Sequence, residues 1–151
     1  MKKIILLAAL TLLLTFSAAG IGAGKLEYIA TFTSSAGELN IATYTEDNDK
    51  VGLLGITLAK KASYSASRGE WDSFIKLWDK AAQTNSTTSQ FIGSIKETET
   101  TDPTLILVTA GPGVRITLET ANGSFSYLLA KSDYDKFDAG IRQVGKYLGT
   151  N

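Results

Sequence analysis

The chain has 151 residues, 15 basic and 15 acidic, with no histidine and no cysteine. That inventory excludes a nucleophile activated by histidine, a cysteine nucleophile and a disulfide frame, and it removes the ordinary ligands of zinc and copper. A balanced charge leaves no electrostatic footprint for nucleic acid or an anionic membrane.

The N-terminus has the layout of a secretory leader. Lys2 and Lys3 precede an apolar run from Ile4 to Phe16, and Ser17, Ala18, Ala19 and Gly20 follow. A charged start, a short apolar stretch and small residues predict a signal peptide over 1–19. Cleavage falls after Ala19, with Ala23 as an alternative, and retention as an anchor is the rival reading. Lys2 and Lys3 leave with the leader, so 13 basic residues face 15 acidic ones, a net charge of −2. An exported chain without cysteine suits a bacterial periplasm or surface. The expected location is therefore periplasmic or extracellular, with no stable membrane insertion after cleavage.

Residues 20–151 read as one α+β domain. Leu26 to Thr33 alternates, with Leu26, Tyr28, Ala30 and Phe32 on one predicted face. Ser35-Ala36-Gly37 is a turn and Glu38 to Thr45 the partner strand. An acidic turn, Glu46 to Lys50, leads to Val51–Leu58, the most apolar strand of the first half and a central one. Ala62 to Ala66 is a short fourth strand. The next stretch, Ser67 to Gln83, is a helix. Trp71, Phe74, Ile75, Trp78, Ala81 and Ala82 fall on one face, and Ser67 with Glu70 makes a capping box. Thr84 to Thr88 is a polar linker.

The second half repeats the plan. Ser89 to Glu97 is a strand, Glu97 to Asp102 a charged turn, and Pro103 opens a strand whose core, Thr104 to Thr109, is expected to be buried throughout. Gly111-Pro112-Gly113 turns the chain. Val114, Ile116 and Leu118 alternate with polar residues. Asn122-Gly123 is a type I′ hairpin signal, and Phe125, Tyr127 and Leu129 share a face. Ser132 caps a closing helix striped by Tyr134, Phe137, Ile141, Val144 and Leu148, which Gly149 ends.

These halves match at a fixed spacing. Trp71 and Phe74 align with Tyr134 and Phe137, and Glu70 and Asp72 with Asp133 and Asp135, each 63 positions on. Tyr28 falls on Phe91, Val51 on Val114 and Leu53 on Ile116. A self-similar period defines the structural unit. The prediction is two tandem ββββα units, about 25–83 and 88–148, with antiparallel sheets, two amphipathic helices and one shared core. The shift is taken as gapless.

Candidate chemistry is sparse. Ser73 and Lys76 form an S-x-x-K on the first helix, read as two solvent-facing residues one turn apart. Glu46, Asp47, Asn48 and Asp49 lack the spacing of a calcium loop and read as a solvated turn. Asp72, Asp133 and Asp135 begin helices, where the helix dipole explains them. No catalytic, cofactor or metal residue is assigned.

Four strands and a helix, twice over, resembles the purine-rich-element-binding (PUR) repeat and the plant Whirly fold. The resemblance implies two units placed as sheets clasped around helices, and in those families single-stranded nucleic acid as ligand. It covers the mature chain as topology. The Whirly lysine-glycine-lysine signature of the second strand has no counterpart in Glu38 to Thr45, and no functional residue carries over. The expected function is a small exported, non-enzymatic binding or inhibitory protein. Its partner is expected to be a protein, with nucleic acid disfavoured by charge and a homo-oligomer left open. A single-strand nucleic-acid binder is the alternative, and a carboxylate-based hydrolase the second alternative.

Overall fold

Hairpins build both halves: every pair of successive strands within a half but one is joined by a turn of two or three residues, and the exception is connected through residues 97–104. The computed structural model describes residues 24–98 and 100–150. The first sheet runs in the order β1 (Lys25–Ser34), β2 (Gly37–Glu46), β3 (Asp49–Thr57) and β4 (Lys61–Ala66), all antiparallel. Helix α1 (Arg68–Gln83) follows. The second sheet repeats it with β5 (Gln90–Lys96), β6 (Leu105–Ala110), β7 (Val114–Thr120) and β8 (Gly123–Leu129). A 3-10 turn, Lys131–Asp133, leads into α2 (Tyr134–Leu148). The tandem ββββα plan is therefore what the chain adopts. The leader assignment lies outside the described residues.

Each helix lies across the sheet of the other unit. Helix α1 packs on β5 and β6 as well as on β3 and β4, while α2 packs on β1, β2 and β3. Leu77 of α1 sits where a side chain on Gly93 of β5 would be, 2.5 Å from an ideal Cβ there. At the matching place in the other unit the sizes are reversed. Gly140 of α2 faces Ala30 of β1, whose Cβ lies 3.4 Å from where an ideal Cβ on Gly140 would be. One core results, built from Leu39, Ile41, Leu54, Ile56 and Tyr64 of the first sheet, Ile106, Ile116 and Leu118 of the second, and both helix stripes. Burying each large apolar side chain of this set contributes about 1.5–3 kcal/mol. Ala42, Tyr44, Val51 and Leu53 form a second small buried cluster on the opposite face of the first sheet, with Leu26 packed on it.

Five local expectations are corrected. Leu26, Tyr28, Ala30 and Phe32 do not share a face. A β-bulge between Tyr28 and Ala30 inserts Ile29, so Leu26 and Tyr28 pair with the outer Tyr44 and Ala42 while Ala30 and Phe32 pair with the core residues Ile41 and Leu39. Strand β6 is not buried throughout: Ile106, Val108 and Ala110 point inward and alternate with half-exposed Leu105, Leu107 and Thr109, as an antiparallel sheet with one covered face requires. Nor does Pro103 open it, since the strand begins at Leu105. The turn with positive φ at both central residues is Asp47-Asn48 (φ 47° and 69°), whereas at the Ala121-Asn122 turn the positive φ belongs to Gly123, just after it. Finally, Ser132 lies within the 3-10 turn, and the residue before α2 is Asp133. Gly149 ends that helix in the left-handed region as expected, φ 82°.

The gapless spacing is corrected as well. Tyr28 and Phe91 hold the same ladder position, each just before its bulge. Their strand partners are Ala42 and Thr109, which are 67 apart, and the next partners along are Leu53 and Arg115, which are 62 apart. Thus Leu53 corresponds to Arg115 and not to Ile116. The β5–β6 connection is longer than β1–β2, and the β2–β3 hairpin reaches further than β6–β7. These differences cancel by the fourth strand, where Ser65 and Leu128 are 63 apart again.

Candidate functional site

Among the described residues, two carboxylates, Glu70 and Glu97, are the only buried charged groups, and both hold the units together. Glu97, after β5, accepts from the backbone N–H of Ser65 on β4 (2.8 Å) and of Thr104 (3.0 Å). Thr104 Oγ1 donates to the Ser63 carbonyl (3.3 Å). The β5–β6 connection thus covers the free edge of β4, which would otherwise present unpaired backbone groups. Glu70, in the first turn of α1, accepts from Ser67 N–H (2.7 Å) and Ser67 Oγ (2.8 Å) with one oxygen, and from Thr98 N–H (2.7 Å) and Thr98 Oγ1 (2.9 Å) with the other. Burial, with the charges of Glu70 and Glu97 nearby, pushes the neighbouring Tyr64 hydroxyl far above its ordinary value.

Of the residues weighed for chemistry, Ser73, Lys76 and Asp72 are bound up locally. Ser73 Oγ donates to the Gly69 carbonyl of its own helix (3.0 Å), and Lys76 pairs with Asp72 one turn away (2.9 Å). Asp133 closes the 3-10 turn and Asp135 stands in the first turn of α2. Among the described residues no group of three or more acidic side chains is placed to hold a metal ion. Between the helices, Asp138 accepts from Trp78 Nε1 (2.9 Å) and from Arg142 Nε (3.0 Å), and Arg142 also reaches Asp79 of α1. Burial alone would raise the Asp138 carboxyl. The hydrogen bonds from Arg142 and Trp78 and the Arg142 charge outweigh it and hold the group below its ordinary range.

What the surface offers is on the outer sheet faces. Tyr28 on β1 and Phe91 on β5 are 51% and 65% exposed, whereas the strand aromatics Phe32 and Tyr44 are buried. The bulges explain this. Each turns its strand so that the residue before the bulge points away from the helices. Phe91, Thr109, Arg115 and Leu128 form one row across the outer face of the second sheet, and Leu128 is 52% exposed. The equivalent row of the first sheet is Tyr28, Ala42, Leu53 and Ser65, and carries no charge. Alternation along β7 does mark Arg115 as outward; that Leu128 would stand beside it follows only from the register.

Comparison with protein-family models and with curated proteins gives no match. No helix among the described residues is long and apolar enough to cross a membrane.

Proposed function

We propose that the chain is a small exported binding protein, not an enzyme, which meets a protein partner through its outer sheet faces. One observation carries this reading: two large aromatic side chains, Tyr28 and Phe91, stand exposed at equivalent bulges of two edge strands. Exposed aromatics of this kind are the usual anchors of interfaces, because they bring much contact area at little entropic cost. Of the acids weighed for a hydrolase, Asp72 is paired with Lys76 one turn along its own helix, and Asp133 and Asp135 stand at the start of α2, where the helix dipole accounts for them. Affinity capture from envelope and medium, comparing the native protein with a Tyr28→Ala/Phe91→Ala variant, tests the reading. A partner retained by both proteins alike overturns it. Export itself is tested by N-terminal sequencing of the secreted or periplasmic fraction, where the mature chain is expected to begin at or near Gly20.

A second reading has one observation in its favour. The ββββα-ββββα order supports a likeness to the PUR repeat and the Whirly fold, and paired exposed aromatics suit the stacking of unpaired bases. The near-neutral charge weighs against it. Oligonucleotide binding that falls steeply with salt, and that requires Tyr28 and Phe91, would favour this reading over the first.

A further inference from the structure

The outer face of the second sheet holds a cleft of about 370 Å3 between the β6–β7 turn and the end of β8. Ser89, Thr109, Pro112, Arg115, Leu128 and Lys131 line it. Its lining has two cations and no carboxylate. Neither cation forms an ion pair with the described residues. Arg115 stands mid-sheet between Thr109 and Leu128, where a folded sheet needs no charge. The matching position of the first unit is Leu53, so the ββββα plan does not demand an arginine. Beside the cations lie Leu128 and Pro112, and Phe91 extends the same row.

We infer that this cleft is a binding site for a small organic anion, with an apolar body against Leu128 and Pro112 and a carboxylate or phosphate head between Arg115 and Lys131. The volume is at the lower end of small-molecule sites. A guanidinium offers a planar fork that matches either head group, and an ammonium adds a second point charge. Ser89 and Thr109 supply hydroxyls for the remaining lone pairs. This site lies on one of the outer faces assigned above to a protein partner, but a small anion can be tested there without that partner and without export.

The test uses 15N-labelled protein titrated with 4-phenylbutyrate, phenyl phosphate and the uncharged 4-phenylbutanol. The expected result is that one or both anions shift the amide signals of Thr109, Arg115, Leu128 and Lys131, with the alcohol at least tenfold weaker. Arg115→Gln/Lys131→Gln should weaken the better anion tenfold or more, and Leu128→Ser should weaken it several-fold. All three residues are exposed, so these variants keep the fold, which circular dichroism checks. Shifts of equal size with the alcohol, binding unchanged in the double variant, or no shift from either anion at millimolar concentration overturns the inference. If phenyl phosphate binds and phenylbutyrate does not, the head is a phosphate.

Discussion

Phe74 of α1 and Phe137 of α2 occupy the same place in the two units and meet each other, ring centroids 6.3 Å apart at 78°. When a residue touches its own counterpart, the rotation relating the copies has its axis between them. Asp79 and Arg142 are a second such pair, also 63 apart and joined by an ion pair. A third contact occurs twice. Trp71 Nε1 donates to the Ile141 carbonyl (2.8 Å), and Trp78 packs edge-on to Tyr134 (5.1 Å), which is the same pairing seen from each unit. The helices therefore pass in opposite directions about a rough two-fold axis. The edge-to-face rings add about 0.5–1.5 kcal/mol per pair beyond the area they bury.

The first prediction concerns this aromatic centre. Trp78, 2% exposed, touches Phe137 (4.6 Å) and Tyr134, and Phe137 also meets Phe32 (5.7 Å). Trp78→Ala and Phe137→Ala should each cost about 3–5 kcal/mol, the range for truncating a buried aromatic. Because the two are in contact, the double variant should lose less than the sum of the singles. Urea unfolding of the four proteins measures this. Losses under about 1 kcal/mol at both sites would mean the helix stripes are not the core.

The second prediction concerns Glu97. Its two oxygens accept from two backbone N–H groups of different units. A glutamine there keeps one acceptor but turns a second donor toward a donor. Glu97→Gln should therefore destabilise by about 1–3 kcal/mol, the usual cost of a buried group left without its partner. The loss should appear in hydrogen exchange as faster opening of Ser65 and Thr104. Unchanged protection at both amides would remove Glu97 from the junction.

The third prediction is a pH dependence. The folded Asp138 carboxyl lies below its ordinary value of 3.8. A depressed folded value gives stability that is complete above the unfolded value and declines as pH falls through the folded one. Below both values the carboxyl is protonated in either state and contributes nothing. The side chain is 39% exposed, so screening keeps the effect under about 1 kcal/mol. The stability difference between the native protein and Asp138→Asn should hold level from about pH 5 to 7 and shrink below about pH 4. A difference that grows on acidification contradicts the geometry at Arg142.

The helices were the most legible part of this chain, because the spacing of Trp71, Phe74 and Trp78, and of Phe137, Ile141 and Val144, declares a buried face with no knowledge of what covers it. The strands were legible in number and order but less so in facing. A bulge such as that at Ile29 inserts one residue, and everything beyond it changes side, so simple alternation puts Tyr28 with Phe32 when they lie on opposite faces. The cancelling differences between hairpins misled in a related way. They leave the helices in step at 63 while Leu53 answers to Arg115. Nothing in the sequence signals that Glu97 reaches Ser65, since that contact depends on how the units meet. The cleft beside Arg115 is likewise a product of register.

The last prediction follows from the exchange of helices between sheets. Each sheet has its inner face covered in part by the helix that belongs, in sequence, to the other unit: α1 with Leu77 against Gly93, α2 with Gly140 against Ala30. A unit cut free keeps its own helix but loses the one that completes its cover, and its share of the core is exposed. Cutting the chain within Thr84–Thr88, which forms no helix or strand, breaks no element. The fragments should fold poorly alone, as judged by circular dichroism and dye binding. Mixed, they should recover a cooperative transition, because every contact between the units is non-covalent. The size match sharpens the test. Gly93→Leu in the second fragment fills the space of Leu77 and should block recovery, and Leu77→Ala in the first fragment should partly restore it. Independent folding of either fragment, or recovery indifferent to Gly93→Leu, would contradict the exchange.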